Sequence, residues 1–77
     1  MRIDLNLMKL SIIVPVYNVE HFLRRCLDSL LRQGLEAGEY EVVCVNDGSS
    51  DGSAAILDDY EQRFPDVFRI ITQRTKG

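Results

Sequence analysis

Two apolar runs, Leu10-Ser11-Ile12-Ile13-Val14 and Val42-Val43-Cys44-Val45, each end in a polar segment that leads straight into an amphipathic helical pattern. Near-continuous Ile and Val mark strands buried on both faces, as in a parallel sheet. Parallel neighbours need a crossover between them, and a helix is the usual one. The pattern therefore restricts the chain to an α/β fold in which the two strand ends lie side by side on one rim. Open α/β sheets place their ligands at such a rim, outside the carboxyl ends of the strands.

Reading along the chain gives strand, helix, strand, helix, strand. The first strand is predicted over Lys9 to Val16. The first helix is predicted over Val19 to Gln33, with Phe22, Leu23, Cys26, Leu27, Leu30 and Leu31 on one stripe and Arg24, Arg25, Asp28 and Arg32 towards solvent. Gly34 is placed to end that helix. A second strand over Tyr40 to Val45 precedes a second helix from Gly52 to Arg63. Asp51 or Ser53 is its cap, Ile56, Leu57, Tyr60 and Phe64 face inward, and Pro65 stops it. A third strand covers Val67 to Thr72. The expected fold class is α/β: a Rossmann-like, three-layer half-domain with a parallel sheet in β-α-β-α-β order. Residues 1–8 show no clear period and read as a loosely held extension ahead of a domain over residues 9–77.

A chain of 77 residues makes one small domain, near the size at which only about 60% of the unfolded surface is buried on folding. A hydrophobic share of 45% and a charged share of 27% are those of a globular chain. Nine basic residues are scattered over a net charge of −3, which excludes the electrostatic footprint of a nucleic-acid binder. Cys26 and Cys44 lack the close spacing of a metal or redox pair and read as small buried hydrophobes in a reducing compartment. No apolar stretch approaches the roughly 20 residues of a membrane span, and the start lacks the signature of a secretion signal. A cytoplasmic location is expected, with the full-length protein free to associate with a membrane.

Chemistry concentrates in Asn46-Asp47-Gly48-Ser49-Ser50-Asp51-Gly52-Ser53 and in Pro15-Val16-Tyr17-Asn18. The Asp47 carboxylate can accept hydrogen bonds from a base N–H or a ribose hydroxyl, and Gly48 permits a positive φ and a close ligand approach. A plain turn followed by a helix cap explains the same residues without a ligand. Asp51 suits the helix start better than a ligand. Asp47 and Asp51 together supply too few fixed oxygens for a metal. Tyr17 can stack on a planar base while its hydroxyl stays wet, or can sit partly buried beneath the helix. His21, with no visible partner, reads as a surface residue. The absence of Gly-x-Gly-x-x-Gly and of Gly-Lys-Ser or Gly-Lys-Thr excludes the dinucleotide and P-loop signatures, leaving a site suited to a nucleoside.

Ser11-Ile12-Ile13-Val14-Pro15-Val16-Tyr17-Asn18, then Leu23 to Leu31, then Val43 to Ser53 together resemble the amino-terminal part of family-two glycosyltransferases, which have the GT-A fold. The resemblance covers Lys9 to Gly77. It implies a truncated GT-A fold that binds the nucleoside of a nucleotide-sugar donor, a uridine diphosphate sugar above all. By the same resemblance, Pro15, Val16 and Tyr17 line the base pocket with Tyr17 stacking. Asp47 hydrogen-bonds the base beside Gly48, and Lys76 approaches the donor. The family's Asp-x-Asp motif for Mg²⁺ or Mn²⁺, its general base and its acceptor pocket lie beyond a strand that this chain does not contain. No catalytic residue and no metal ligand is therefore assigned here, and the chain alone is expected to be inactive.

The resulting expectation is the nucleoside-binding half of an inverting glycosyltransferase that passes a sugar to a hydroxyl of a carbohydrate or lipid-linked acceptor. A non-catalytic nucleotide-binding or assembly module is the alternative. A receiver-like signalling domain fits less well, because its phosphorylated Asp and partner Lys are not evident. An exposed edge on the first strand also predicts self-association through that strand.

Overall fold

The computed structural model describes residues 2–5 and 10–74. Its elements are β1 (Arg2–Leu5), β2 (Leu10–Val16), α1 (Glu20–Leu31), β3 (Tyr40–Asp47), α2 (Ser53–Arg63) and β4 (Phe68–Gln73). The strands form one sheet in the order β1-β2-β3-β4. The last three are parallel, with Ile12 opposite Val42 and Val42 opposite Phe68. The expected β-α-β-α-β core is therefore present.

Two features depart from the expectation. Residues 2–5 are not a loose extension: β1 pairs antiparallel with β2, Arg2 opposite Ile13 and Leu5 opposite Leu10, so the sheet is mixed. The described residues also form two layers and not three. Consecutive right-handed crossovers between sequential parallel strands put both helices on one face, where the Tyr60 hydroxyl of α2 donates to the Asp28 carboxylate of α1 at 2.5 Å. Met8, Lys9 and Lys76, to which strand, extension and donor-binding expectations were attached, lie outside the described residues.

Strand alternation sorts the sheet into a core face and an open face. Ile12, Val14, Val16, Val42, Cys44 and Phe68 turn to the helices and pack with Leu23, Leu27, Leu30, Leu57 and Tyr60. Tyr60 meets the Phe68 ring edge-on, 5.6 Å between centroids at 80°, an arrangement favoured by the ring quadrupoles. Phe22 departs from the predicted stripe and is 69% exposed. On the helix-free face the Ser11 hydroxyl donates to the Glu41 carboxylate at 2.6 Å.

The edge of β2 is closed within the chain. Leu10 N–H donates to the Glu39 carbonyl on the β3 side at 3.1 Å. Backbone groups alternate along a strand, so Ser11, Ile13 and Pro15 turn theirs to the other edge. Asp4 and Arg2 lie opposite Ser11 and Ile13, and Pro15 brings no N–H to the ladder. The unpaired first strand on which the expectation of self-association rested is thus absent.

Helix ends follow local chemistry. Gly34, at φ 76°, takes the left-handed conformation that closes the turn after α1. Neither helix has a side-chain cap from its own N-cap residue, Val19 for α1 and Gly52 for α2. Among the described residues no helix is long and apolar enough to cross a membrane.

Candidate functional site

The parallel register aligns the ends of β2 and β3. Val16 lies opposite Asn46, so Tyr17, just past the end of β2, and Asp47, the last residue of β3, each come one residue later on neighbouring chain segments. Asp47 still belongs to β3, opposite Gln73 of β4, where the sequence pattern had placed it in a loop. Pro15 and Gly48 are exposed and Asp47 is half-buried. Tyr17 is 56% exposed, which decides against a ring buried beneath the helix. Val16 stands apart. Its side chain is in the core at 1% exposure, where it helps wall an apolar cavity of about 180 Å³ lined also by Val14, Pro15, Val19, Phe22, Leu23 and Cys26. Pro15, Tyr17, Asp47 and Gly48 share the open rim, whereas Val16 lies behind it.

The loop after β3 is locked from within. Asn46, 3% exposed, accepts the Ser49 N–H on Oδ1 at 3.1 Å, and Gly48 within that turn has φ 71°. Asn and Gly make this turn at low cost, since Asn bonds its own backbone and Gly tolerates positive φ.

This loop also caps α1, the helix of the neighbouring crossover. The N–H groups of three consecutive residues donate to its side chains: Asn18 to Ser49 Oγ at 3.1 Å, Val19 to Ser53 Oγ at 3.1 Å and Glu20 to Asp51 Oδ2 at 3.3 Å. In return Asn18 Oδ1 accepts the Ser50 N–H at 2.8 Å. Asp51 uses its other oxygen, Oδ1, for the Ser53 N–H at 2.9 Å. Partial desolvation pushes the Asp51 pKa up, but hydrogen bonds from the Ser53 hydroxyl and from backbone N–H groups outweigh it, so the pKa is lowered. Asp51 is a structural carboxylate that ties two helix starts together. Each of its two oxygens accepts a backbone N–H within the fold. Among the described residues no group of three or more His, Cys, Asp or Glu could hold a metal ion. His21 is exposed, as expected.

The sequence model of glycosyl transferase family 2 matches residues 11–77. The chain belongs to that family. Among its relatives, the poly(ribitol-phosphate) beta-glucosyltransferase of Bacillus spizizenii is 43% identical over 88% of this chain and 10% of its own length. The poly(ribitol-phosphate) beta-N-acetylglucosaminyltransferase TarS of Staphylococcus aureus is 40% identical over 74% of this chain and 10% of its own. The solved structure of TarS residues 1–349 in complex with UDP-GlcNAc superposes with a TM-score of 0.74 at 33% identity, over 84% of this chain and 18% of that one. The mannosyltransferase PcManGT of Pyrobaculum calidifontis, solved with GDP-Man and Mn²⁺, superposes with a TM-score of 0.76 at 26% identity, over 87% of this chain and 20% of that one. The fold is thus that of GT-A glycosyltransferases, and the chain spans a tenth to a fifth of the length of these proteins.

Two features of the rim escaped the sequence reading. Asn18 was noted but given no role, although its φ of 50° and its bonds to Ser49 and Ser50 place it between the two strand ends. Ser53 was offered as a cap for its own helix, whereas its hydroxyl caps the other one. The signal was present in Val19, an N-cap residue with no oxygen to offer, which obliges the cap to come from elsewhere.

Proposed function

We propose that this chain is the donor-nucleoside half of an inverting glycosyltransferase, whose whole transfers a sugar from a uridine diphosphate sugar to an acceptor hydroxyl. The observation that carries the reading is the superposition on TarS bound to UDP-GlcNAc by a chain whose Tyr17 and Asp47 follow paired residues on adjacent strands. Tyr17 offers an exposed ring on which the uracil stacks. Asp47 accepts the imide N–H of the base, and Gly48 lets the nucleoside approach the backbone. Pro15 borders the same rim, while Val16 supports it from the core.

The chemistry that follows binding is a direct displacement at the anomeric carbon, with the nucleoside diphosphate as leaving group. A divalent metal on the diphosphate and a carboxylate that takes the acceptor proton complete it. PcManGT, solved with Mn²⁺, supports the metal for the family. Among the described residues no group of three or more His, Cys, Asp or Glu could hold one, and this reading assigns neither agent to the rim. The relatives named for poly(ribitol-phosphate) support a polymeric hydroxyl acceptor.

The test is a UDP titration of the chain, followed by amide NMR, repeated with Asp47→Ala. Removal of a carboxylate that accepts a base N–H weakens binding by about ten- to hundredfold, with amide dispersion retained. Unchanged affinity in the variant would remove Asp47 from the site.

A further inference from the structure

Asn18 stands between the two halves of the rim and belongs to neither. It follows Tyr17 directly, and its backbone occupies the left-handed region at φ 50°, the sole such non-glycine position among the described residues. L-residues rarely adopt that conformation. Asn does so more readily than most, and an isolated outlier of this kind marks a place that the surroundings hold in position. Here the holding groups are identifiable. Asn18 N–H donates to Ser49 Oγ at 3.1 Å, and its Oδ1 accepts the Ser50 N–H at 2.8 Å, with the Ser50 hydroxyl also in reach at 3.5 Å. One residue thus clasps the loop after β3 by a donor on its backbone and an acceptor on its side chain.

The consequence is geometric. Tyr17 is one bond before the clasp, and Asp47 and Gly48 immediately precede Ser49 and Ser50. Without the clasp, the two loops would be tied only farther along, through the Val19–Ser53 and Glu20–Asp51 hydrogen bonds, and nothing next to Tyr17 would hold its ring relative to Asp47. With it, the two loops move as one.

We propose that Asn18 is the positioning residue of the nucleoside site: its hydrogen bonds to Ser49 and Ser50 set the Tyr17 ring against the Asp47–Gly48 segment. It does not itself touch the nucleoside. The inference rests on the reading of this rim as a nucleoside site and adds the device that makes it one rigid surface, since binding energy from stacking and from hydrogen bonding is collected together only when the two groups are held in register.

The variants that separate the possibilities are Asn18→Gly and Ser49→Ala. Glycine keeps the φ of 50° at no steric cost but removes the Oδ1 acceptor, and Ser49→Ala removes the acceptor of the Asn18 N–H. Relief of backbone strain in Asn18→Gly partly offsets the lost bond and glycine's greater freedom in the unfolded chain, so the melting temperature falls only slightly and the amide dispersion of the fold is retained. UDP is titrated into each chain while the uracil H5 and H6 resonances are followed. In the parent both move upfield as the base stacks on Tyr17. In Asn18→Gly affinity falls about tenfold, and the limiting upfield shift at saturation is reduced, a change in pose that lowered stability alone would not produce. Ser49→Ala gives a smaller change in the same direction.

Parent-like affinity and limiting shift in Asn18→Gly would overturn the proposal while leaving the nucleoside site in place. Absence of UDP binding by the parent chain would overturn the site, and the proposal with it.

Discussion

Substitution of Ser53 by alanine tests whether α1 depends on a cap lent by its neighbour. Ser53 has no exposed surface, and its Oγ accepts the Val19 N–H at 3.1 Å. The variant deletes one acceptor and leaves a part-buried N–H at the start of α1 without a partner. Loss of a helix cap costs about 0.5 to 2 kcal/mol, and stranding a buried donor costs about 1 to 3 kcal/mol. The two describe the same event, so an overlap of about 1.5 kcal/mol is expected, not their sum. For a domain of this size that lowers the melting temperature by about 6 to 12 °C. Ser49→Ala is the control. It removes an acceptor of the same kind from Asn18, which is exposed, so water replaces the bond and the cost is below about 0.5 kcal/mol.

The pH dependence adds a second reading of the same variant. The Ser53 hydroxyl is among the groups that lower the Asp51 pKa below its ordinary value of 3.8. A carboxylate with a depressed folded-state pKa stabilises the fold above the unfolded value, and that contribution is lost as pH falls through the folded value. The gap between parent and Ser53→Ala should therefore be widest near neutrality and narrow below pH 3.8. Urea melts followed by circular dichroism at a series of pH values measure both effects. A neutral-pH difference under about 0.3 kcal/mol, or an equal loss in Ser49→Ala, would refute the capping argument.

Gly48→Val puts a β-branched residue at φ 71°, which costs about 1 to 2 kcal/mol in a urea melt, and Gly48→Asn costs less because Asn tolerates that region. A larger penalty for Asn would refute this. Gly52→Ala behaves differently. Its φ is −77°, so the backbone accepts alanine, but the new Cβ would lie 2.6 Å from Glu20 Oε2. The flexible Glu20 side chain swings aside, and a double-mutant cycle with Glu20→Ala should show the small loss disappearing. Burial pushes the Cys44 thiol up to about 12, so at pH 8 native Cys44 reacts with a thiol reagent only when the core opens, more slowly than half-buried Cys26. Prompt modification of both would contradict the buried assignment.

What was legible in the sequence follows from which interactions are periodic. Leu23, Leu27 and Leu30 are buried where a helical stripe puts them, and the apolar runs became β2 and β3 because buried parallel strands have few alternatives. β1 was missed because Arg2–Leu5 is four residues long, too short for alternation to show, and its partner is an edge that only the tertiary structure defines. Phe22 matches the stripe by spacing but lines the apolar cavity while most of its ring stays in solvent. Asp51 was correctly read as structural, yet its bond to Glu20 crosses 31 positions, a separation no local rule encodes. The rim itself was legible because its chemistry lies in two contiguous segments, and the register brings their ends together.

For the nucleotide-sugar donor proposed above, the capping network bears on which end this rim would take. A helix N-terminus ordinarily attracts phosphate, because its first N–H groups are unpaired and its dipole is positive there. At α1 the Glu20 N–H donates to Asp51 and the N–H groups of Asn18 and Val19, just before the helix, donate to Ser49 and Ser53, the Phe22 N–H donates to the Val19 carbonyl, and Asp51, its pKa lowered, remains ionised at neutral pH. A diphosphate brought to α1 would find most of these N–H groups taken and would face the fixed negative charge of Asp51. An uncharged base and ribose meet neither obstacle at Tyr17, Asp47 and Gly48. Under the proposed reading, the same hydrogen bonds that stabilise the helix would favour a nucleoside on this rim with its phosphates directed away from the Asp51 charge at α1.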